Sequence, residues 1–195
     1  MNYDQEEMRW VQMVVSPSRL PTASRKTHRF DTFKVTAENR ESKAAAEAFL
    51  AGEIKPPLLL IIGTPGTGKT HIAYAIAWER VEDWQRVLYY QAEELLDELR
   101  NFEGNYERRL DRIKNVATLI IDDLGAQSDT AFGMAKLDMI VDYRYREALP
   151  LIATANLLTF PDGRPAIPDR ILDRFKEGKI VMIKGKSWRG GQANV

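Results

Sequence analysis

The sequence predicts an α/β fold in which a five-stranded parallel sheet is flanked by helices. Short apolar runs of strand length alternate along the chain with longer segments of helical pattern. The run 117–121 is almost continuously apolar, which is typical of a parallel strand buried on both faces. The chain has 195 residues and 44% apolar content, which is enough for one α/β core and too little for two full domains.

Composition excludes several other classes of protein. Lys plus Arg number 28 and Asp plus Glu number 28, so no net charge indicates nucleic acid or a membrane as the partner. The chain contains no Cys, and therefore no disulfide and no thiolate metal site. No apolar stretch approaches the roughly 18 residues of a membrane span, and residues 1–20 lack the apolar centre of a signal peptide. We therefore expect a cytoplasmic protein.

The first 29 residues are predicted to form an N-terminal extension and a basic linker. Residues 3–15 have the pattern of a short helix, which the Ser- and Pro-containing stretch 16–21 is expected to end. Residues 16–29 contain no acid and four basic residues, Arg19, Arg25, Lys26 and Arg29. The domain itself is expected over 30–195.

The elements of this domain are predicted in chain order. A helix runs from Thr36 to Leu50, because Gly52 is a typical signal for the end of a helix. Strands are predicted at 58–62, 86–91, 117–121, 150–154 and 180–183. Helices are predicted at about 69–81, 93–100, 130–147 and 168–175, with a second basic segment at 106–114 after Gly104. This alternation favours a doubly wound sheet with right-handed crossovers.

A glycine-rich loop directly follows the first predicted strand. Its eight residues match the phosphate-binding pattern G-x-x-x-x-G-K-[ST] and are Gly63, Thr64, Pro65, Gly66, Thr67, Gly68, Lys69 and Thr70. Glycines allow successive N–H groups to face phosphate oxygens, and the helix that follows adds its positive N-terminal end. We predict binding of a nucleoside triphosphate, with Lys69 on the β- and γ-phosphates and Thr70 on Mg²⁺.

Polar residues also follow the third and fourth predicted strands. Asp122 and Asp123 come at the end of strand 117–121, where nucleotide-bound Mg²⁺ needs an acidic partner. We assign Asp122 to Mg²⁺, directly or through water, and Asp123 to the attacking water, because adjacent side chains at a strand end point in different directions. Asn156 follows strand 150–154 and is a candidate to hold that water or the γ-phosphate, although Asn is also common at caps and turns.

Two arginines lie one helical turn apart in the last predicted helix. Arg170 and Arg174 are at i and i+4 and therefore share one helix face. An arginine supplied to the transition state of phosphoryl transfer, sometimes from a neighbouring subunit, increases the rate by about 10³–10⁵. Spacing alone favours the alternative, a solvated face or salt bridges with Asp169 and Asp173.

Taken in order, six motifs of the chain resemble the AAA+ ATPases of the bacterial helicase-loader group, of DnaC and DnaI type. The resemblance covers Phe30 to Arg189 and starts at Phe30–Phe33, which in such proteins leads toward the adenine pocket. The motifs are Gly63–Thr70 followed by His71, Ile120–Gly125, Asp142–Tyr145, Ala153–Leu157, Arg170–Arg174 and Gly185–Arg189.

This resemblance implies a role for each matching residue. Lys69 and Thr70 correspond to the Walker A contacts, with His71 beside them, and Asp122 and Asp123 to the Walker B pair. Asn156 corresponds to sensor 1. Arg174 corresponds to an arginine finger that acts on a neighbouring subunit, and Arg170 to an arginine that senses nucleotide within its own subunit. The resemblance thus implies helical or ring-like self-association.

The function that the resemblance implies is that of an ATP-hydrolysing helicase loader or loader-like factor, with a replicative helicase as its partner. Only a dozen residues follow the fifth strand, so we expect no helical lid domain. The missing lid fits the loaders and the related IstB-type ATPases that regulate a transposase, whereas Asp123 favours the loaders. A third possibility is a binding switch that uses ATP with little turnover.

Two further segments are candidate contact surfaces. Aromatic and basic residues interleave before the third strand, as in single-stranded DNA sites, at Phe102, Tyr106, Arg108, Arg109, Arg112 and Lys114. A solvated face is the alternative, because Glu107 and Asp111 can pair with these arginines. The N-terminal helix either docks on a helicase or packs on its own core through Met8, Trp10, Val11, Val14 and Val15.

Overall fold

The computed structural model describes residues 9–100, 105–125, 131–156, 166–185, 187 and 188. The strands are β1 Leu58–Gly63, β2 Val87–Gln91, β3 Thr118–Asp122, β4 Leu151–Ala155 and β5 Lys179–Ile183. The helices are α1 Ser16–Ser18, α2 Ser24–Thr27, α3 Arg40–Leu50, α4 Lys69–Glu82, α5 Ala92–Arg100, α6 Tyr106–Asn115, α7 Ala131–Arg146 and α8 Asp169–Glu177, and a π-helical turn at Val11–Val15 precedes them.

The five strands form one parallel sheet in the order β2-β3-β4-β1-β5. Residues of β1 alternate between two cores, with Leu58 and Leu60 in one and Leu59 and Ile61 in the other. This burial on both faces explains why β1 is apolar along its whole length. The predicted five-stranded α/β fold is confirmed. Because all strands are parallel, the carboxyl ends of β1, β3 and β4 meet at one edge of the sheet.

Helix α3 begins at Arg40, and not at Thr36 as the sequence suggested. The side chain of Asn39 accepts a hydrogen bond from the Thr36 backbone N–H at 2.8 Å and donates one to the Lys34 carbonyl at 3.0 Å. These bonds close a turn that the helical pattern does not reveal. The helix ends at Leu50, as predicted.

The N-terminal segment is helical for longer than predicted. The chain stays helical through Ser18 and leaves the helix at Arg19, where φ is 64°. Pro17 does not end the helix, because a proline fits the first turn that follows the π-helical turn. The Ser18 hydroxyl also donates to the Val15 carbonyl at 2.6 Å.

The apolar side of this segment packs on the domain. Trp10, Val14 and Val15 are buried in the same core as α4, and the Trp10 indole N–H donates to the Val81 carbonyl at 2.9 Å. Val11 is partly buried against the same core, while Met8 lies outside the described residues. Of the two alternatives for this helix, packing on its own core is therefore the one that the structure shows for the buried side chains, and docking on a helicase through them is excluded because their own core already covers them.

The basic stretch 16–29 is likewise attached to the domain and is not a free linker. Arg19 pairs with Glu98 at 2.5 Å, and its guanidinium stacks on the Tyr90 ring. Arg29 pairs with Glu79 at 2.9 Å and with Glu82 at 2.7 Å. The acids that balance this stretch come from α4 and α5, some 50 to 80 residues away in sequence, so a local charge count does not show them.

Arg144, from the motif Asp142–Tyr145, is a structural residue of α7. Its side chain is fully buried and donates to the backbone carbonyls of Lys114 at 2.8 Å and Pro150 at 2.5 Å. Burial lowers the pKa of its guanidinium to about 9. Arg144 thereby connects the segments that precede β3 and β4.

The described residues that follow β5 are 184, 185, 187 and 188, and they form no helical lid. The Trp188 backbone N–H donates to the Gly66 carbonyl at 2.9 Å, so this segment lies against the glycine-rich loop. Within the described ranges, no helix combines the length and the apolar character that crossing a bilayer would require.

Candidate functional site

The glycine-rich loop connects β1 to α4 at the edge of the sheet where the strands end. Gly66 and Gly68 have φ of 80° and 101°, a region that residues with a Cβ rarely adopt. A Cβ at Gly68 would also come within 3.0 Å of the Phe33 ring. The conformation of the loop therefore requires glycine at both positions, and the nearby side chains leave no room for a Cβ. Helix α4 begins at Lys69, so its N-terminal N–H groups face the loop.

Lys69 lies inside this loop and is only 5% exposed. Its ammonium donates to the Gly63 carbonyl at 2.8 Å and to the Thr64 carbonyl at 3.0 Å. It also donates to the side-chain oxygen of Asn156 at 2.8 Å. The lysine thus connects the loop to the residue that follows β4.

Asp122 ends β3 and points toward the start of α4. Its carboxylate accepts a hydrogen bond from the Thr70 hydroxyl at 3.0 Å, another from the Tyr89 hydroxyl at 2.6 Å, and a third from the Thr154 hydroxyl. The structure brings Thr70 and Asp122 together, as expected for two groups around one cation.

Asp123 points in a different direction from Asp122, as predicted for neighbours at a strand end. Its φ is 60°, in the left-handed region, and its backbone N–H donates to the Thr154 hydroxyl at 3.0 Å. The Asn156 amide donates to the Asp123 carboxylate. Left-handed backbone at a residue other than glycine is uncommon, and such residues cluster at functional sites.

Asn156 is therefore the centre of a chain of hydrogen bonds that runs from Lys69 to Asp123. Its side-chain oxygen accepts from the lysine and its side-chain nitrogen donates to the aspartate. An amide is suited to this position because it can donate and accept at once. The predicted set of Lys69, Thr70, Asp122, Asp123 and Asn156 converges in one place.

A cleft of about 320 Å³ opens beside the loop. Its walls are formed by Gly66, Gly68, Lys69, Thr70, His71, His28, Thr32, Phe33, Lys34 and Trp188. His71 lies between the Phe33 and His28 rings, at centroid distances of 5.1 and 4.8 Å, and its Nε2 is 2.8 Å from the Arg29 carbonyl. Thr32 and Trp188 come from the stretches Phe30–Phe33 and Gly185–Arg189 that carried the resemblance, although neither was singled out as a site residue. His28 lies outside all the motifs, and only folding brings it to the loop.

Arg170 and Arg174 lie on α8 and pair with acids of α7. Arg170 is 3.2 Å from the Asp138 carboxylate, and Arg174 is 3.0 Å from that of Asp142 and stacks on the Tyr145 ring. The side chain of Arg170 is 77% exposed and that of Arg174 is 34% exposed. No contact seen within the described ranges joins either arginine to the loop or to Asp122, so their catalytic roles stay predictions.

The second basic segment forms α6, and several of its cations have partners within the domain. Arg112 pairs with Glu98 at 3.1 Å and donates to the Tyr90 hydroxyl at 3.0 Å. Lys114 lies over the Tyr143 ring and 3.9 Å from Asp111. A cleft of about 550 Å³ is nevertheless lined by Arg108, Arg109 and Arg112. Phe102 lies outside the described residues.

A family model described as "IstB-like ATP binding protein" matches residues 3–194. The chain belongs to this family of ATP-binding proteins. It is 29% identical to the insertion sequence IS5376 putative ATP-binding protein of Geobacillus stearothermophilus, over 95% of the chain and 75% of that protein. It is 25% identical to the replicative helicase loader DnaC of Escherichia coli K12, over 79% of the chain and 65% of the loader.

Solved structures place the fold in the same group. A crystal structure of DnaI aligns with a TM-score of 0.70 and 27% identity, over 92% of the chain and 98% of that structure. The resemblance to DnaC- and DnaI-type ATPases is therefore confirmed, as is the P-loop α/β fold that it implied. ATP-binding proteins of insertion sequences are relatives too, at 29% identity for the IS5376 protein and 30% for that of IS21 of Pseudomonas aeruginosa.

Proposed function

We propose that this protein binds ATP with Mg²⁺ in the cleft beside the glycine-rich loop and hydrolyses it slowly, with stimulation by self-assembly. The hydrogen-bond chain from Lys69 through Asn156 to Asp123 carries this proposal, because it connects a phosphate-binding cation to a general base. A protein that only binds ATP needs the lysine, but it does not need a carboxylate connected to it through an oriented amide.

The residues of the site fit a triphosphate and its metal ion. The loop carbonyls that Lys69 contacts are acceptors that β- and γ-phosphate oxygens would replace. Thr70 and Asp122 are the residues that would hold Mg²⁺, since a hydroxyl and a carboxylate already lie 3.0 Å apart. When bound, Mg²⁺ neutralises phosphate charge.

Asp123 is proposed to act on the attacking water. The water oxygen attacks the γ-phosphorus, the bond from that phosphorus to the bridging oxygen of ADP breaks, and the water proton passes to the Asp123 carboxylate. Asn156 orients this carboxylate through the amide that donates to it. His71 and Arg170 complete the proposed nucleotide-binding set.

Arg174 is proposed to complete the site of a neighbouring subunit. It lies on α8, where its salt bridge to Asp142 is only partly buried and can be exchanged for phosphate oxygens. Hydrolysis would then require a helical or ring-like assembly. The neighbour's arginine would add the charge that the transition state needs.

The proposed biological role is that of a helicase loader or loader-like factor that acts on a replicative helicase at single-stranded DNA. The extensive alignment with DnaI and the similarity to DnaC support this role. The cleft lined by arginines of α6 supports a DNA contact. The second candidate is an ATPase that regulates a transposase, which the similarity to the IS5376 protein favours.

Phosphate release by the purified protein tests the enzyme proposal. We expect slow turnover that rises with protein concentration, whereas bound ATP without turnover would indicate a binding switch. Co-elution with the purified helicase or the purified transposase of the same source organism then separates the two roles. For DNA, Arg108→Glu should weaken binding of single-stranded DNA and flatten its salt dependence. Substitution of another exposed arginine, Arg40→Glu, provides the charge-matched control.

A further inference from the structure

Tyr89 contacts the site from β2, a strand that carries none of the nucleotide-binding motifs. It is buried, and its hydroxyl donates to Oδ2 of Asp122 at 2.6 Å. The bond crosses between adjacent strands, since β2 pairs with β3 in a register that places Tyr89 beside Ile120 and Gln91 beside Asp122.

The phenol is held as a hydrogen-bond donor. A carboxylate oxygen can only accept, so the Tyr89 hydroxyl is the donor in its bond to Asp122 Oδ2. The Tyr74 ring of α4 packs against the Tyr89 ring with centroids 4.7 Å apart. Tyr74 lies one helical turn after Thr70, so the same helix that supplies the Thr70 hydroxyl also restrains the tyrosine.

The three hydroxyls around Asp122 fix its rotation. Tyr89 donates to Oδ2, Thr154 donates to Oδ1, and Thr70 approaches both oxygens at 3.0 and 3.3 Å. If the phenol bond is removed, one carboxylate oxygen loses its donor from β2. The carboxylate can then turn away from Thr70.

We propose that Tyr89 is a positioning residue for the magnesium site, which holds the Asp122 carboxylate in the orientation that a cation beside Thr70 requires. This inference rests on the proposed binding of ATP with Mg²⁺. The inference predicts that removing the phenol affects Mg²⁺ binding and phosphate binding differently. Loss of the phenol weakens the response to Mg²⁺ and leaves the contacts of the loop with phosphate intact. Outer-shell partners of metal ligands typically change metal affinity about 10–100-fold.

The chain offers a matched control on the same strand. Tyr90 is also buried, but its hydroxyl donates to Glu98 and accepts from Arg112. Tyr89→Phe and Tyr90→Phe therefore each delete one hydroxyl from a buried tyrosine of β2. Only the first deletion removes a contact to Asp122.

The test measures binding of a fluorescent ATP analogue to the full chain, with EDTA and then over a magnesium titration. For Tyr89→Phe we expect the half-saturating magnesium concentration to rise about tenfold. Its nucleotide affinity in EDTA should match that of the wild type, and Tyr90→Phe should follow the wild type in both measurements. Tyr89→His, which keeps a ring N–H donor, should partly restore the response. Circular dichroism verifies that each variant is folded.

Equal magnesium responses of Tyr89→Phe and Tyr90→Phe would overturn the inference and leave the proposed function intact. An equal loss of affinity in EDTA and in Mg²⁺ would assign Tyr89 a purely structural role. If the wild type itself bound nucleotide without any dependence on Mg²⁺, the assignment of Thr70 and Asp122 would fail first, and the role of Tyr89 with it.

Discussion

The ammonium of Lys69 lies 2.8 Å from the side-chain oxygen of Asn156. The same asparagine donates to the Asp123 carboxylate. A residue after β4 thus touches both the cation of the loop and the acid after β3. Loss of its amide should disturb the base without removing the phosphate-binding loop.

For Asn156→Ala we therefore expect nearly normal ATP binding and a fall in kcat of about 10²-fold, the size seen when one oriented polar group is removed from an active site. Nucleotide titration and steady-state phosphate release separate the two quantities. Asn115→Ala is the control, because the Asn115 side chain contacts Tyr143 and the Asp111 carbonyl, away from the site. A large loss of ATP affinity in Asn156→Ala would instead make this residue a binding group.

Lys69→Ala and Asp123→Asn should fail at different steps. The lysine change should abolish ATP binding, because the ammonium is the cation buried within the loop. The aspartate change should preserve binding and strongly slow hydrolysis, since an amide cannot take the proton of water. Titrations with ATP and turnover measurements on both variants check this. Wild-type turnover in Asp123→Asn would remove that residue from its proposed role.

Arg174→Ala should bind ATP nearly normally and fail to hydrolyse it. Mixing it with Lys69→Ala should restore part of the activity, because one kind of mixed interface joins an intact loop to an intact finger. Arg146→Ala is a matched control, since Arg146 also pairs with Asp142, at the same distance of 3.0 Å. Wild-type activity per subunit that stays constant on dilution to monomers would contradict an arginine acting between subunits.

Trp10→Ala should lower the free energy of unfolding by about 3 kcal/mol, the usual range for deleting a buried aromatic side chain. Trp10 is 7% exposed and also donates to the Val81 carbonyl. Met13→Ala, in the same segment but 47% exposed, should change stability little. Urea unfolding measures both. Equal stability of the two variants would show that the segment is not part of the folded core in solution.

Stability should fall as pH is lowered through the range of histidine titration. Burial, and secondarily the neighbouring His71, lower the pKa of His28 below its ordinary value of 6.5. The unfolded chain then binds this proton more tightly than the folded one, so the stabilisation present above that value is lost as pH falls toward the lowered pKa. Urea midpoints between about pH 7.5 and 5.5 should decline less in His28→Asn than in the wild type. His71→Asn should reduce the decline only in part.

The strands were predictable because their signal is local. The run 58–62 corresponds to β1 Leu58–Gly63, and 117–121 to β3 Thr118–Asp122, since continuous burial demands continuous apolar residues. That Asp122, Asp123 and Asn156 lie close together was also predictable, because the carboxyl ends of parallel strands lie at one edge of the sheet. The loop pattern then placed Lys69 and Thr70 beside them.

The contacts that the sequence did not show join residues that are far apart along the chain. Tyr89 of β2 reaches Asp122 at the end of the neighbouring strand β3, and Arg29 reaches Glu79 and Glu82 from the N-terminal segment. No fixed separation along the sequence marks either pair of residues, so a sequence pattern cannot reveal these contacts. One alternative for Arg170 and Arg174 was pairing with Asp169 and Asp173 of their own helix, but packing against α7 provides Asp138 and Asp142 one turn apart on the facing helix.

The contact between Arg29 and His71 gives the amino-terminal segment a mechanical connection to the nucleotide site. The Arg29 carbonyl is 2.8 Å from Nε2 of His71, which follows Thr70 in the first turn of α4. The Arg29 guanidinium forms salt bridges with Glu79 and Glu82 near the end of the same helix. A displacement of the segment before Arg29 would therefore act on α4 at its first turn and again near its end. That first turn carries Lys69 and Thr70, so the amino-terminal segment is bonded to the helix that supplies two of the candidate site residues.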